Sequence, residues 1–149
     1  MNKYDCTDDV NKHIGKVQEL MVLFAGAVAD RADWHDHSKL HNAHEKEMFD
    51  TWVPRLQELE YGSSEYTEAL KNMGDGLKMH YDANRHHPQH YENGIDGMTL
   101  VDLVEMVCDW VAVASLKGEA VDIAVNAKRF NISPQVANII ANTIRSEMK

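Results

Sequence analysis

Apolar residues recur at helical spacing along most of this chain, and that periodicity restricts the fold more than any other feature. Between Asp8 and about Ala32 the spacing alternates between four and three residues, as on one face of an amphipathic helix. The residues of this stripe are Val10, Ile14, Val17, Met21, Phe24 and Val28. No segment alternates with period two over enough residues to form a sheet. The sequence therefore predicts an all-α fold.

Capping residues and helix breakers divide the rest of the chain. Thr99 and Asp102 are expected to open a strongly apolar helix from Leu100 to Leu116, which we predict to be the central helix. Ser133 and Pro134 are expected to start the last helix, as cap and first helical residue. The other predicted segments are a helix towards Leu59 with a bend or restart at Pro54, a helix from about Glu65 to Asn84 with a kink at Gly74 and Gly76, an ordered loop from Arg85 to Met98, and a helix from about Glu119 to Phe130.

Length and composition favour one domain. The chain has 149 residues, of which 44% are hydrophobic, enough for a sizeable core. No internal repeat or low-complexity linker separates the predicted helices. We expect a single domain over residues 1–149, a compact bundle of about six to seven helices, with residues 119–147 forming its C-terminal helices.

The charge balance limits the partners of this chain. A total of 15 Lys and Arg against 24 Asp and Glu gives a formal net charge of -9, so the average field repels polyanions. We expect no nucleic acid polymer as partner, whereas a small phosphorylated metabolite is compatible because bound cations reverse the field of an acidic pocket. The sequence shows no signal pattern, no membrane-spanning run and no disulfide framework. We therefore expect a soluble, cytoplasmic protein.

Clustered histidines and one helical carboxylate suggest a metal site. Most of the nine histidines lie in two segments, from His35 to His44 and from His80 to His90. Asp109 lies in the middle of the most apolar helix, where a carboxylate bears a desolvation cost unless a cation or hydrogen-bond donors meet it. A salt bridge from Asp109 to a lysine or arginine is the structural alternative.

Two more positions extend this pattern. His13 lies beside the apolar stripe of the first helix, from which it can face an interior cleft. His35 and Asp36 are adjacent, and at a helix start or bend an imidazole and a carboxylate can converge on one cation. The sequence therefore places four candidate ligands on or beside predicted helices.

In their order along the chain, these four residues resemble the H...HD...D signature of the HD-domain superfamily. The runs His35–Lys39, His80–Pro88 and Glu105–Trp110 are similar to a phage and bacterial branch of that superfamily, and the resemblance covers about residues 8 to 116. It implies a helical bundle with one, two or occasionally more metal ions at its centre. Most characterised members hydrolyse phosphate esters of nucleotides or signalling molecules, and a minority are di-iron oxygenases. The metal ligands implied by the resemblance are His13, His35, Asp36 and Asp109.

Three further histidines bear on the number of ions. His80, His86 and His87 resemble the added histidine and His-His pair of superfamily members with two metals. The alternative is that they bind substrate phosphate or, for His80 and His87, donate a proton to the leaving group. The spacing is shorter than in the cyclic-dinucleotide phosphodiesterase branch, and its Gly-Tyr-Pro motif is absent, so that substrate is not supported.

Charged residues beside these histidines are candidate catalytic groups. Lys39, three residues after Asp36, is a hypothetical phosphate anchor, with a solvated surface lysine as the alternative. Arg85 is a weaker candidate of the same kind. Glu105 lies one turn before Asp109, where it could orient ligands or act as general base. For Glu45, a solvated helix face is the favoured interpretation.

These observations lead to a metal-dependent phosphohydrolase acting on a nucleotide or related small phosphate ester, by attack of metal-activated water on phosphorus. Its cofactor would be one or two divalent ions, with Mn, Fe, Co, Ni, Zn or Mg as candidates. The alternatives are a di-iron oxygenase and a non-catalytic nucleotide-binding phage protein, which would act in the host cytoplasm. A homo-oligomer is also expected, because the C-terminal helices carry apolar faces.

Overall fold

The computed structural model describes residues 5–148, and all regular secondary structure in this range is helical. In chain order the helices are α1 (Thr7–Trp34), α2 (Ser38–His41), α3 (Ala43–Gln57), α4 (Ser64–Asn72), α5 (Gly74–Ala83), α6 (Leu100–Leu116), α7 (Ile123–Arg129) and α8 (Pro134–Glu147). Two 3-10 turns, Pro88–His90 and Gly94–Gly97, lie between α5 and α6. The predicted all-α class is confirmed. None of the helices in residues 5–148 combines the length and apolarity needed to span a membrane.

The chain divides into two compact units at the end of α1. The first unit is built on α1, which has Asp8 and Asp9 in its first turn and Arg31 in its last, charges that favour the helix dipole. The second unit begins at His35 and contains α2 to α8. The single domain expected over residues 1–149 stays a prediction.

Side-chain caps fix where the helices of the second unit begin. The Thr99 hydroxyl accepts a hydrogen bond from the Asp102 amide, and the Asp102 carboxylate accepts from the Thr99 amide, which is the predicted capping box at the start of α6. Ser133 caps α8 as predicted. Asp122 caps α7, so the helix predicted from about Glu119 begins later, at Ile123.

Two helix breakers act differently from each other. Gly74 adopts φ +56, a left-handed conformation that costs glycine little, and it separates α4 from α5 where the sequence predicted one kinked helix. Pro54 lies inside α3 without ending it, so the predicted alternative of a helix restart is wrong.

The hydrophobic core of the second unit forms where α6 meets the C-terminal helices. Met106 and Val107 of α6 are buried against Ile132, which follows α7, and Ile140 of α8. This packing fixes α6, and its charged residues Glu105 and Asp109 contact His35, which precedes α2. The apolar helix predicted to be central therefore does carry the core.

A close helix contact brings the histidine-bearing helix near α3. A Cβ on Gly76 would lie 2.8 Å from Cγ of Met48, so only glycine allows α5 to approach α3 this closely. His80 follows Gly76 by one helical turn and shares its face. It is 1% exposed. The approach of α5 to α3 thus places an imidazole in the protein interior.

Candidate metal centre

The segment before α2 brings two adjacent side chains together. Asp36 has φ +55, a left-handed conformation that aspartate tolerates better than most residues, so the backbone does not continue as a regular helix. Nε2 of His35 lies 3.6 Å from Oδ2 of Asp36. The predicted convergence of an imidazole and a carboxylate at a helix bend is therefore observed.

The end of α5 and the segment after it supply three imidazoles. Asn84 ends α5 in an extended conformation, and His86 and His87 follow outside the helix. Nε2 of His80 lies 2.7 Å from Nε2 of His87, and the rings of His86 and His87 lie 4.0 Å apart. The three rings meet because the chain turns back after Asn84, and not because they share one helix face.

Two overlapping groups of potential ligand atoms result. The first contains Asp36, His80, His86 and His87, and the second contains His35, Asp36, His86 and Asp109. Within each group the ligand atoms lie within 4.8 Å of one another. Asp36 and His86 belong to both groups. The two carboxylate oxygens of Asp36 could each bind a different ion, whereas His86, whose Nδ1 faces Glu105, could bind one ion through Nε2.

The two oxygens of Asp36 face different sides of this cluster. Oδ1 lies 3.6 Å from Nε2 of His80 and 3.7 Å from Nε2 of His86, whereas Oδ2 faces His35. Nε2 of His35 also lies 3.6 Å from Oδ1 of Asp109. Atoms about 2.1 Å from a tetrahedral metal ion are about 3.4 Å apart, so these separations fit metal ligands better than hydrogen bonds.

Two atoms at the centre of the cluster lack hydrogen-bond partners. Oδ1 of Asp36 and Nε2 of His86 are both buried, and neither makes a hydrogen bond. A buried polar atom without a partner is costly, and the exceptions in native structures call for an explanation such as an ion. A cation between these two atoms would satisfy both, so the donor set fits a divalent metal.

A buried glutamate contacts the Nδ1 side of the His80 ring. Oε1 of Glu45 is 2.7 Å from Nδ1 of His80, and the Ser38 hydroxyl donates to the same oxygen. Asn84 donates through Nδ2 to the Ser38 hydroxyl at 2.7 Å. Engaging Nδ1 in this way leaves Nε2 of His80 as the ligand atom, an arrangement common behind metal-binding histidines. The expectation that Glu45 lies on a solvated helix face is wrong, because it is 0% exposed.

A second glutamate, Glu105, contacts the Nδ1 atoms of His35 and His86. Oε1 of Glu105 is 3.0 Å from Nδ1 of His35, with which it forms a hydrogen bond. The same oxygen is 3.0 Å from Nδ1 of His86, off the hydrogen-bonding direction. Glu105 therefore contacts the far side of both rings and orients Nε2 of each towards Asp36.

The start of α6 is tied to the segment that carries His86 and His87. Asp102 accepts hydrogen bonds from Nε and Nη2 of Arg85, each at 3.2 Å, and from the Tyr91 hydroxyl at 2.7 Å. Arg85 and Tyr91 bracket the histidine pair in sequence. Asp102 thereby anchors both ends of this segment to the helix that carries Glu105 and Asp109.

Lys39 adds a positive charge at the edge of the cluster. Its ammonium pairs with Oδ2 of Asp36 and lies 4.6 Å from the centre of the Phe49 ring. The side chain is 33% exposed, so the ammonium reaches solvent as well as the carboxylate. The hypothetical phosphate anchor is thus adjacent to Asp36, which belongs to both ligand groups.

The electrostatics of the cluster favour bound positive charge. Asp109 and then Glu105 raise the pKa of His35 to about 10, against the effect of burial. Burial alone would raise the pKa of Asp36, but Lys39, His80 and His35 lower it. Burial, and then the neighbouring His86 and His80, lower the pKa of His87, while burial and Lys39 lower that of His80. His80 and His87 therefore favour the neutral form, which is the form that binds metals.

Comparison with known proteins gives a family but no activity. The family described as "Family of unknown function (DUF5662)" matches residues 2–146. The chain belongs to DUF5662. No curated protein and no solved structure matches this DUF5662 chain.

Two predicted site residues of the DUF5662 protein are placed differently from the rest. His13 lies on α1, in the first unit, where it is exposed, and its role as a ligand stays a prediction. Arg85 was a weaker candidate for binding phosphate, but its guanidinium instead donates to the buried Asp102. No lysine or arginine among residues 5–148 pairs with Asp109, so the alternative of a salt bridge there is not observed.

Proposed function

We propose that this DUF5662 protein is a metal-dependent hydrolase of small phosphate esters, with one divalent ion in each of the two ligand groups. The proposed ligands are His35, Asp36, His80, His86, His87 and Asp109. The observation that carries the proposal is the position of Asp36. Its buried Oδ1 makes no hydrogen bond and faces Nε2 of His86, which also lacks a partner, while its Oδ2 pairs with the Lys39 ammonium. A metal site with an adjacent ammonium is suited to binding phosphate.

The ligand chemistry supports a transition metal. Four imidazoles and two carboxylates without a thiolate suit Mn, Fe, Co, Ni or Zn, with Mg as the choice if water fills several positions. Divalent ions in such a site polarise phosphate oxygens and lower the pKa of water. Glu45 and Glu105 hold the imidazoles so that their Nε2 atoms face Asp36.

Lys39, His80 and His87 have different roles in the proposed reaction. Lys39 would donate N–H groups to the phosphate oxygens and offset the charge that develops on them. The Phe49 ring limits the positions that its ammonium can take. His80 and His87 act as neutral ligands rather than proton donors, because burial lowers the pKa of each. Solvent or the substrate itself would then donate the proton to the leaving group.

The resemblance to the HD-domain superfamily gains support from this geometry. Three of the four signature residues, His35, Asp36 and Asp109, lie in one ligand group, whereas the first, His13, lies in the other compact unit. Most characterised members of the superfamily act on phosphate esters, and a nucleotide is the substrate that we propose. The proposal places the protein in solution with a small substrate rather than with a nucleic acid polymer.

A phosphate-release screen tests the proposal. The wild-type protein, loaded in turn with each candidate metal, is assayed against nucleoside mono-, di- and triphosphates. We expect release of phosphate with at least one pair, and a loss of about a hundredfold or more in Asp36→Asn. Asp50→Asn, an exposed aspartate paired with Lys46, is the matched control. Turnover that survives Asp36→Asn, or oxygen uptake with no phosphate release, would overturn the proposal.

A further inference from the structure

A second positively charged group lies near the candidate centre, at the end of α7. Nη1 of Arg129 donates a hydrogen bond of 2.7 Å to the Tyr61 hydroxyl, which in turn donates to Oδ1 of Asn126 at 2.8 Å. Asn126 is buried and lies one turn before Arg129 on the same helix. The chain of hydrogen bonds fixes the direction of the Tyr61 hydroxyl and, through it, the position of the guanidinium.

Aromatic rings surround this guanidinium. Its central carbon lies 5.2 Å from the ring centre of Tyr61, 5.9 Å from that of Tyr66 and 4.9 Å from that of Phe130. Such contacts stabilise a cation and hold it without neutralising its charge. The guanidinium has five N–H donors, and the bond to Tyr61 uses one of them.

Arg129 differs from other basic residues of this acidic chain in its partners. Lys46 and Lys78 each pair with an exposed aspartate, and Arg85 pairs with the buried Asp102. No carboxylate among residues 5–148 lies within ion-pair distance of Arg129. A half-buried guanidinium that is oriented but not neutralised retains its capacity to bind an anion.

Two aromatic residues connect Arg129 with the helix that carries Asp109. The guanidinium carbon lies 4.9 Å from the centre of the Phe130 ring, and that ring stacks on Trp110 with the ring centres 5.7 Å apart. Trp110 directly follows Asp109 on α6. Arg129 is therefore held against the helix that supplies one of the proposed ligands.

We infer that Arg129 binds a second phosphate group of the substrate, so that the preferred substrate is a nucleotide with at least two phosphates. A planar guanidinium binds two phosphate oxygens at once, which a lysine does not. Carboxylates around the centre would repel a second anionic group unless a fixed cation offset them. The inference rests on the proposed function only for the first phosphate, which the ligand groups and Lys39 would hold.

Binding measurements test this inference separately from catalysis. Affinities of metal-loaded wild type and Arg129→Gln are measured by calorimetry for three probes: adenosine 5′-monophosphate, 5′-diphosphate and 3′,5′-bisphosphate. The free metal concentration is kept constant, so that chelation is equal for both proteins. We expect one of the two-phosphate probes to bind wild type at least about tenfold more tightly than the monophosphate, and Arg129→Gln to lose that preference while its affinity for the monophosphate is unchanged.

Further variants keep the result interpretable if Arg129→Gln is poorly folded. Tyr61→Phe removes the hydrogen bond that orients Arg129 but keeps the ring, and should lose part of the preference. Arg145→Gln, an exposed arginine on α8, makes the same change of charge and should behave as wild type. A preference that survives in both Arg129→Gln and Tyr61→Phe, or its absence in wild type, would overturn the inference. Arg129-dependent binding without any phosphate release would instead refute the proposed function alone.

Discussion

Nε2 of His86 and Oδ1 of Asp36 face each other at 3.7 Å, and both atoms are buried without a hydrogen bond. Leaving a buried polar atom unsatisfied costs about 1–3 kcal/mol. Two such atoms directed at one point are explained by a cation between them, since each offers a lone pair to it.

The number of bound ions should depend on which ligand group is broken. Because Asp36 belongs to both groups, Asp36→Ala should abolish metal binding. His80→Ala and Asp109→Ala each affect one group and should each lose one ion. Native mass spectrometry of the three variants measures this directly. Equal losses in all three would contradict the assignment of two groups.

Removing the charge of Glu45, which contacts Nδ1 of His80, should weaken metal binding without unfolding the protein. Glu45→Gln keeps the size of the side chain and its bond to Ser38, but offers Nδ1 of His80 a weaker acceptor. We expect metal affinity to fall by about 10–100-fold, as is typical for partners of metal-binding histidines. Competition with a fluorescent chelator gives the dissociation constant.

Glu47→Gln provides the matched control for this measurement, because Glu47 lies on the same helix and is exposed. Its metal affinity should equal that of wild type. An unchanged affinity in Glu45→Gln, with the variant folded, would show that the contact between Glu45 and His80 does not support a ligand.

Lys39 should matter for turnover more than for metal binding. Lys39→Ala removes the ammonium that would stabilise charge on the phosphate, so kcat/KM should fall by about a hundredfold while bound metal is retained. Lys39→Arg should recover part of the loss. Lys46→Ala, which breaks an exposed pair with Asp50, is the control and should leave kcat/KM unchanged. Loss of metal rather than turnover in Lys39→Ala would assign the lysine a structural role.

The contact between Arg85 and Asp102 should make stability depend on pH. Burial would raise the pKa of Asp102, but Arg85 and hydrogen bonds from Thr99 and Tyr91 hold it well below its usual value. Since the unfolded-state value is about 3.9, the interaction stabilises the fold above that pH and is lost as the pH falls through the folded-state pKa. Asp102→Asn should therefore cost about 2 kcal/mol of unfolding free energy at about pH 7 and less at about pH 3, where the carboxyl is mostly protonated in the unfolded chain but still ionised in the folded protein.

Urea denaturation at the two pH values measures this difference, with the metal removed from both samples. Asp96→Asn, an exposed aspartate in the segment before α6, is the control and should leave the unfolding free energy unchanged at either pH. A cost for Asp102→Asn that is the same at both pH values would rule out the charge of Asp102 as its origin.

Local signals in the sequence were sufficient for several features. The start of α6 follows from the capping box of Thr99 and Asp102, and its extent from a strongly apolar pattern, and both signals are local to the helix. Asp109 was predicted as a ligand because a carboxylate in an apolar helix needs a positive partner, and His35 and Asp36 because their side chains can converge at a helix bend. Gly74 and Gly76 indicated a kink, but the structure has two separate helices there, because Gly74 adopts a left-handed conformation.

Other features depend on contacts between distant residues. Glu45 was assigned to solvent because glutamate is rarely buried, and its burial requires donors from Ser38 and from His80, 35 residues away. His87 joins His80 only because the chain turns back after Asn84. Arg129 carried no motif at all, and its position depends on contacts with Tyr61, Tyr66 and Phe130.

The metal content of the purified wild-type protein tests the central claim most directly. Elemental analysis, after incubation with each of Mn, Fe, Co, Ni, Zn and Mg and removal of the excess, gives the number of ions per chain. We predict two ions of at least one metal in wild type and none in Asp36→Ala. Wild-type protein that retains no ion after any of these incubations would contradict the account.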